Sequence, residues 1–273
     1  MIFDDGYLKN FGIEYSAVVP FSACGIINER RLGALKKRLD PVSVIVFLVP
    51  YYAGEEKRNI SKYAISKDYH LFMRRLFDDV CPAYGAKYGA NFCGMADSAP
   101  INEVKAAAYA GLGMLGDNGM LINKKYGSYI FIGAVYTDAV FEYGEDKTSY
   151  CVHCGACRDA CPMKNGRDCL SAITQKKGDL TDEEKEYILQ YGSAWGCDIC
   201  ADVCPFSKKA EKTPVEFFYE DRTPYLSSET LDKMTDKDFA ARAYAWRGKD
   251  VIKRNLGLFL KTATDDDMKK DPV

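Results

Sequence analysis

The feature that most constrains this chain is a pair of cysteine groups in its second half. The first group has the spacing Cys-x2-Cys-x2-Cys-x3-Cys-Pro, and the second has the spacing Cys-x2-Cys-x3-Cys-Pro. A lone CxxC pair would also suit zinc, but four cysteines that end in Cys-Pro are typical of [4Fe–4S] ligation. The two groups comprise Cys151, Cys154, Cys157 and Cys161, and then Cys197, Cys200 and Cys204.

The cysteines divide into two predicted ligand sets. In bacterial two-cluster ferredoxins, the cysteine before proline binds the cluster held by the other group. Cys204 is therefore predicted to complete a cluster with Cys151, Cys154 and Cys157. The second cluster needs a fourth ligand, and Cys169 is the candidate because it alone lies between the two groups. The second predicted set is Cys161, Cys169, Cys197 and Cys200, whereas Cys24, Cys81 and Cys93 are expected to be ordinary residues.

Composition and charge limit the class of protein. The 273 residues carry a net charge of −2 and are 47% hydrophobic, which is ample for a core without disulfides. A nucleic-acid binder usually has a basic face, and the global charge does not indicate one, although short basic runs leave the point open. The chain has no signal-peptide pattern, and Val42–Val49, its longest apolar run, is too short to span a bilayer. We therefore expect a cytoplasmic protein without a membrane segment, whose cysteines bind metal.

Hydrophobic periodicity predicts an α+β fold in three consecutive parts. Residues 1–149 are expected to form a mixed α and β domain that ends in the polar segment Gly144–Ser149. Residues 150–210 form a ferredoxin-like domain with two clusters, and residues 211–273 a helical segment with a disordered tail from Thr264. The expected strands are Ile13–Val19, Val42–Val49 and Ser128–Tyr136. The expected helices are Glu29–Leu39, Ile60–Val80 (ending before Pro82), Val104–Ala110 (opened by Pro100), Thr181–Tyr191, Asp238–Ala245 and Val251–Lys261.

A glycine motif in the first part matches the dinucleotide fingerprint G-x-G-x-x-G at Gly111, Gly113 and Gly116. That motif binds pyrophosphate only when a strand precedes it and a helix follows it. Here an alanine-rich helix precedes the glycines and a strand-like segment follows them. We therefore reject NAD or FAD binding and expect the glycines to allow close packing, or close approach to a flat cofactor.

Several short motifs together resemble the epoxyqueuosine reductase family. The match runs in order from about residue 40 to residue 257. It implies a nitroreductase-like cobalamin-binding domain followed by a ferredoxin-like domain with two clusters. The motifs are Tyr63-Ala64, Asp68-Tyr69-His70, Asp97-Ser-Ala-Pro100, Ala110-Gly-Leu-Gly113-x-x-Gly116-x-Asn118, Gly127-Ser128, both cysteine groups, Gly196-Cys197-Asp198, Arg247-Gly248 and Arg254-Asn255.

The resemblance also implies an activity and the residues that perform it. Family members reduce epoxyqueuosine in tRNA to queuosine, with electrons passing from the clusters to the cobalt of cobalamin. An external donor of the flavodoxin or ferredoxin type supplies the electrons. The family's proton donor falls on Asp97, although Asp97 precedes a predicted helix and could instead cap it. The implied cofactor-binding residues are Asp97, Asn118, Leu121 and Asp198, and the implied cluster ligands are the two sets given above.

Departures from the family pattern keep two alternatives open. Asp117 stands where the family usually has a lysine, and Val104 where it has an arginine. The segment after Cys161 is shortened, and the sequence contains no helical-repeat extension of the kind that some members use for tRNA. The first alternative is a reductase with the same cofactors and another small substrate. The second is an electron-transfer iron–sulfur protein without a corrinoid.

Overall fold

The computed structural model describes residues 1–163 and 168–268, with side chains described up to residue 260. The chain forms two compact units, each assembled from segments that lie apart in the sequence. The predicted division into consecutive parts at residues 149 and 210 stays a prediction. The first unit comprises Met1–Ala53, His70–Arg158 and Cys200–Glu216, and the second Gly54–Tyr69, Asp159–Ile199 and Phe217–Val273.

The first unit is built on an antiparallel four-stranded sheet with the order β1-β2-β6-β3. A separate two-stranded hairpin consists of β4 and β5. The three strands expected from the sequence are present within two residues of their predicted limits. The strands are β1 (Tyr15–Pro20), β2 (Ser43–Pro50), β3 (Phe92–Ala96), β4 (Met114–Leu115), β5 (Leu121–Ile122) and β6 (Ile130–Thr137).

Eleven α-helices complete the described part of the chain. Mixed helices and antiparallel strands confirm the predicted α+β class. Helices α1–α4 precede the cysteine array in the sequence. The helices are α1 (Gly6–Lys9), α2 (Glu29–Lys36), α3 (Tyr69–Tyr88), α4 (Glu103–Tyr109), α5 (Ala156–Ala160), α6 (Leu170–Gln175), α7 (Asp182–Tyr191), α8 (Ile199–Asp202), α9 (Ser228–Lys233), α10 (Asp236–Ala240) and α11 (Lys249–Met268).

Helices cover both faces of the sheet. Strand β2 is buried along its whole length, and its side chains alternate between the two faces. Val44 and Val46 belong to the same core cluster as Ala107 of α4. Phe47, which points to the other face, meets Phe77 of α3 with ring centroids 6.2 Å apart. This burial on both sides explains why β2 is continuously apolar rather than alternating.

Two glycines in the sheet leave space for these aromatic rings. Gly133 lies opposite Phe47 in the β2–β6 register, and a Cβ there would lie 2.3 Å from the Phe47 ring. A Cβ at Gly94 would lie 2.0 Å from the Phe77 ring. Both positions therefore need glycine because the ring of a neighbouring phenylalanine occupies the space of a side chain.

Helix α3 differs from its prediction at both ends. The helix expected over Ile60–Val80 begins at Tyr69, because Ile60 instead forms a β-bridge with Trp195. It continues past Pro82 to Tyr88, although an internal proline costs a helix about 3 kcal/mol. Tyr84 is completely buried, and tertiary packing of this kind offsets the loss of one helical hydrogen bond.

The second unit is largely helical around a core that includes Trp195, Tyr244 and Ile252. Asn255 of α11 is completely buried. Its Nδ2 donates to the carbonyl oxygens of Thr174 and Ala194 at 2.7 and 2.9 Å. A buried amide with satisfied donors joins α11 to two other segments of this unit.

The C-terminal helices also depart from expectation. The helix predicted over Asp238–Ala245 is α10, which ends at Ala240, followed by a 3₁₀ turn over Ala245–Arg247. Helix α11 extends to Met268, into the segment predicted to be disordered. Residues 269–273 of that segment lie outside the described residues. Among the described residues, no helix is long and apolar enough to cross a membrane.

Candidate functional site

Four cysteines of the array line one cavity in the first unit. The cavity holds about 360 Å³ of space, part of it open to solvent. These four cysteines are the set that the spacing predicts for the first cluster. Three of them come from the first cysteine group and the fourth comes from the second group. Apolar side chains make up much of the remaining wall. The cysteines are Cys151, Cys154, Cys157 and Cys204, and the other lining residues include Asp117, Asn118, Ile122, Val152 and Phe206.

The β4–β5 hairpin holds the beginning of the first cysteine group. The Cys151 N–H donates to the Leu115 carbonyl at 3.0 Å, and the Leu115 N–H donates to the Ser149 carbonyl at 2.8 Å. Just before β4, a Cβ at Gly113 would lie 2.8 Å from the Leu121 side chain. Helix α4 precedes these glycines and β4 follows them, which is the reverse of a dinucleotide site. In this hairpin Gly113 therefore serves close packing.

Residues on both sides of Cys204 contact the segment just before β6, and these contacts position the cysteine. The Ser128 N–H donates to Ser207 Oγ at 3.1 Å, and the Tyr129 hydroxyl donates to Asp202 Oδ1 at 2.6 Å. Gly127 has a φ of +57°, and a Cβ there would lie 2.5 Å from Ser207 Cα. The close approach of two backbones at Gly127 is therefore part of what places the fourth thiol.

Gly127→Ala is expected to destabilise the protein by about 3 kcal/mol or more, because it combines left-handed strain with a backbone clash. Iron retention after desalting should fall as well, since the Cys204 segment is displaced. Gly89→Ala is the matched control: Gly89 also has a positive φ of +64°, but no atom within 4 Å of a Cβ. Thermal unfolding and iron content measure both variants. Equal losses in the two variants would contradict a role for the Gly127 contact.

A hydrogen-bonded pair of an aspartate and a histidine borders the cavity. Asp117 Oδ1 lies 2.8 Å from His153 Nδ1, and the Asp117, Cys151 and His153 ligand atoms lie within 4.8 Å of one another. Burial raises the pKa of the Cys157 thiol, and the charges of Asp117 and Cys151 add to the effect. A bound iron would override this by binding the thiolate. The pair shows that the negative charge of Asp117 lies close to the first predicted cluster site.

The residues predicted for the second cluster are distributed over different segments. Cys169 is exposed at the beginning of α6. Cys197 is half-buried and packs against the core that contains Leu170 and Ile188. Residues 164–167 of the shortened segment lie outside the described residues. The predicted set of Cys161, Cys169, Cys197 and Cys200 therefore stays a prediction.

Asp97, the predicted proton donor, follows the last residue of β3. Its side chain is 69% exposed, and Oδ2 lies 3.9 Å from His70 Nε2. Its backbone has a φ of +61°, which is uncommon for a residue with a side chain. The helix-capping alternative is wrong, because α4 begins at Glu103 and the Asn102 side chain caps it by accepting from the Lys105 N–H. The prediction that Pro100 opens this helix is wrong for the same reason.

The other predicted cofactor residues have different surroundings. Asn118 lines the cysteine cavity, and its Oδ1 accepts from the Met120 N–H at 3.2 Å. Leu121 is 3% exposed and belongs to the core of the first unit. Their cofactor roles stay predictions.

Asp198 is buried in the second unit. Its carboxylate accepts from the Ser61 hydroxyl at 2.5 Å and from the Lys62 N–H at 2.7 Å. The Arg58 guanidinium lies 3.5 Å away. These contacts give Asp198 an anchoring role for the segment that carries Ser61, and a role in cofactor binding stays a prediction.

Glu103, the first residue of α4, was not among the predicted site residues. Burial raises the pKa of its carboxyl group to about 8, the charge of Asp97 raises it further, and a hydrogen bond from the Asp97 N–H opposes the shift. The sequence contains a weak signal of this arrangement, since Glu103 follows the Asp97-Ser-Ala-Pro100 motif closely. Its half-buried position close to Asp97 is visible only in the folded chain.

Comparisons with known proteins agree with this geometry. A family profile described as a 4Fe-4S dicluster domain matches residues 150–208. The epoxyqueuosine reductase of Lactococcus garvieae is 34% identical over 224 residues, covering 76% of this chain and 62% of that protein. The epoxyqueuosine reductase of Leadbetterella byssophila is 34% identical over 227 residues, covering 75% and 73%. The aligned part of this chain thus spans about two thirds of the length of these relatives.

Solved structures share the fold. The epoxyqueuosine reductase of Streptococcus thermophilus aligns with a TM-score of 0.76 and 23% identity, covering 98% of this chain and 85% of that one. An epoxyqueuosine reductase crystallised with an epoxyqueuosine-modified tRNA-Tyr stem loop aligns with a TM-score of 0.73 and 22% identity, covering 93% and 79%. Both alignments extend over both compact units.

Proposed function

Because this chain belongs to the epoxyqueuosine reductase family, we propose that it reduces epoxyqueuosine to queuosine in tRNA. Two [4Fe–4S] clusters and a cobalamin are the proposed cofactors, and Asp97 is the proposed proton donor. An external flavodoxin or ferredoxin type of protein is the proposed electron source. The expected cytoplasmic location also stays a prediction.

One observation carries the electron-transfer part of the proposal. Cys151, Cys154, Cys157 and Cys204 come from two sequence groups and line one largely apolar cavity. Four thiols that converge in this way have the donor chemistry of a [4Fe–4S] cube. An apolar lining would lower the polarity around a bound cluster and so adjust its potential. Asn118 lines the same cavity, so the β4–β5 hairpin lies directly beside the first cluster site.

The residues present also fit a corrinoid beside Asp97. The Asp97 carboxylate is 69% exposed, so a large flat group that covered it would supply the burial that a general acid needs. When bound, cobalamin would supply a low-valent metal able to reduce the substrate. Asp97 would donate its proton to the departing epoxide oxygen, and Asn118, Leu121 and Asp198 are the proposed cofactor contacts.

The experiment that tests the function is anaerobic reconstitution with iron, sulfide and cobalamin, followed by desalting and metal analysis. We expect about eight irons and about one cobalt per chain, and then turnover of an epoxyqueuosine-containing tRNA stem loop. Eight irons without cobalt would indicate the electron-transfer alternative. Both metals without turnover would indicate another substrate.

The position of Asp117 favours a second candidate function, in which the protein uses the same cofactors to reduce another small molecule. A carboxylate paired with His153 beside the cluster cavity replaces the lysine usual in the family. Negative charge at this position repels tRNA phosphates and favours an uncharged substrate. Turnover of the modified stem loop would rule out this candidate as the sole activity.

A further inference from the structure

Asp117 lies in a hydrogen-bonded turn between β4 and β5. The Gly119 N–H donates to the Gly116 carbonyl at 2.9 Å. Asp117 and Asn118 are therefore the two central residues of a β-turn. Gly119 follows with a φ of +79°, as the left-handed residue that closes a common three-residue hairpin loop. Asn118 Oδ1 accepts a further bond from the Met120 N–H. These contacts fix the backbone from which the Asp117 side chain extends.

The first cysteine loop is attached to this hairpin at two points. At its beginning, the Cys151 N–H donates to the Leu115 carbonyl at 3.0 Å. Two residues later, His153 Nδ1 lies 2.8 Å from Asp117 Oδ1. An ionised carboxylate can only accept a hydrogen bond, so His153 Nδ1–H is the donor. Asp117 therefore contacts the middle of the loop, whereas the backbone bond holds its start.

The backbone of His153 has a conformation that needs support. Its φ is +51°, which is uncommon for a residue with a side chain, although histidine adopts it more often than most. The His153 side chain is exposed, so burial does little to hold it. Residues in this region persist where neighbouring contacts enforce the conformation. The hydrogen bond to Asp117 is such a contact.

The Asp117 carboxylate also lies close to a predicted cluster ligand. A carboxylate oxygen of Asp117, Cys151 Sγ and a ring nitrogen of His153 lie within 4.8 Å of one another. The Asp117 side chain is only 23% exposed and lines the same cavity as Cys151. At such a distance, water only partly screens the charge of a carboxylate from a charged group in the cavity.

We propose that Asp117 is a positioning residue for the first cluster, whose bond to His153 holds the first cysteine loop and whose negative charge lowers the reduction potential of the bound cluster. This inference rests on the proposed function, in which Cys151 is a cluster ligand. Reduction adds an electron to the cube, and nearby negative charge disfavours that electron. The reduced cluster is therefore a stronger donor when it passes the electron on.

The first test measures iron release from the anaerobically reconstituted full-length protein to an excess of a chelator. Asp117→Asn keeps an oxygen that accepts from His153 Nδ1–H but removes the charge, whereas Asp117→Ala removes both. We expect the initial phase of release to be about tenfold faster in Asp117→Ala, the usual size of such an effect on metal retention. Asp117→Asn should stay within about twofold of the wild type. Equal rates in Asp117→Ala and the wild type would overturn the proposal.

The midpoint potential of the first cluster is the second readout, and a merely structural contact would not change it in Asp117→Asn. In a redox titration followed by electron paramagnetic resonance, the signal of this cluster is the one missing when Cys154 and Cys204 are both alanine. Asp117→Asn and Asp117→Ala should both raise the potential. At a fixed applied potential, the ratio of reduced to oxidised cluster should then increase about threefold or more.

Asp40→Asn is the control for this titration, because it removes the same charge from an exposed side chain and should leave the potential unchanged. An unchanged potential in Asp117→Asn would overturn the proposal. A wild type that binds about eight irons but does not reduce the stem loop would contradict the proposed function alone, and a raised potential in Asp117→Asn would still support the role of Asp117. A wild type that binds no iron would overturn both.

Discussion

Replacing Cys154 and Cys204 together with alanine is expected to reduce the iron content from about eight to about four per chain and to abolish reductase activity. The two cysteines belong to different sequence groups but line the same cavity. The remaining Cys151 and Cys157 cannot hold a cube alone. Cys204 is only 7% exposed, so water cannot easily replace its thiolate. Iron and sulfide analysis after anaerobic reconstitution measures the effect.

The matched control is the double variant Cys24→Ala and Cys81→Ala. Burial raises the pKa of both thiols to about 12, which makes them poor thiolate ligands. Their replacement should leave the iron content unchanged. Retention of about eight irons by the Cys154 and Cys204 variant would contradict the ligand assignment. Iron loss from the control would show that ligands had been missed.

Asp97→Asn is expected to reduce kcat by about 10²- to 10⁴-fold, the usual contribution of general acid catalysis. Asparagine has the same shape and tolerates the left-handed region well, so the backbone conformation at this position should persist. KM and iron content should therefore remain within about twofold of the wild type, because only the transferable proton is removed. Single-turnover kinetics with the modified stem loop measure the chemical step.

Asp40→Asn is the control for a change from carboxylate to amide. Its side chain is 87% exposed, and its nearest charged partner, Lys36, lies 3.9 Å away. We expect wild-type kinetics from this variant. A kcat within tenfold of the wild type in Asp97→Asn would exclude Asp97 as the proton donor and would indicate that another acid supplies the proton.

The grouping of Cys151, Cys154, Cys157 and Cys204 around one cavity was predictable because its information is local. Cysteine spacing sets which thiols a tight loop can turn toward one centre, and the crossover rule groups Cys204 with the first three. The residues that hold Cys204 in place were not predictable. Gly127 approaches Ser207 across 80 residues of sequence, and no local pattern encodes a contact between two backbones.

Helix boundaries also differ in whether nearby or distant residues determine them. The start of α7 was predictable because a local capping box defines it. The Thr181 side chain accepts from the Glu184 N–H, and the Glu184 side chain accepts from the Thr181 N–H. The predicted first residue, Thr181, is the residue that caps the helix. At Pro82 the local rule predicts a helix end, yet α3 continues because its buried side chains stabilise it. The beginning of α3 also depended on distant residues, since Ile60 pairs with Trp195.

The sequence by itself determined the iron–sulfur chemistry, the α+β class and the reversed context of the glycine motif, because spacing and periodicity act over a few residues. Only the tertiary structure decided the strained conformation of Asp97 and the burial of Glu103 beside it. The first depends on how the chain turns between β3 and α4, and the second on the desolvation of the Glu103 carboxyl group close to Asp97. Such effects arise from neighbours in space, and a linear pattern does not contain them.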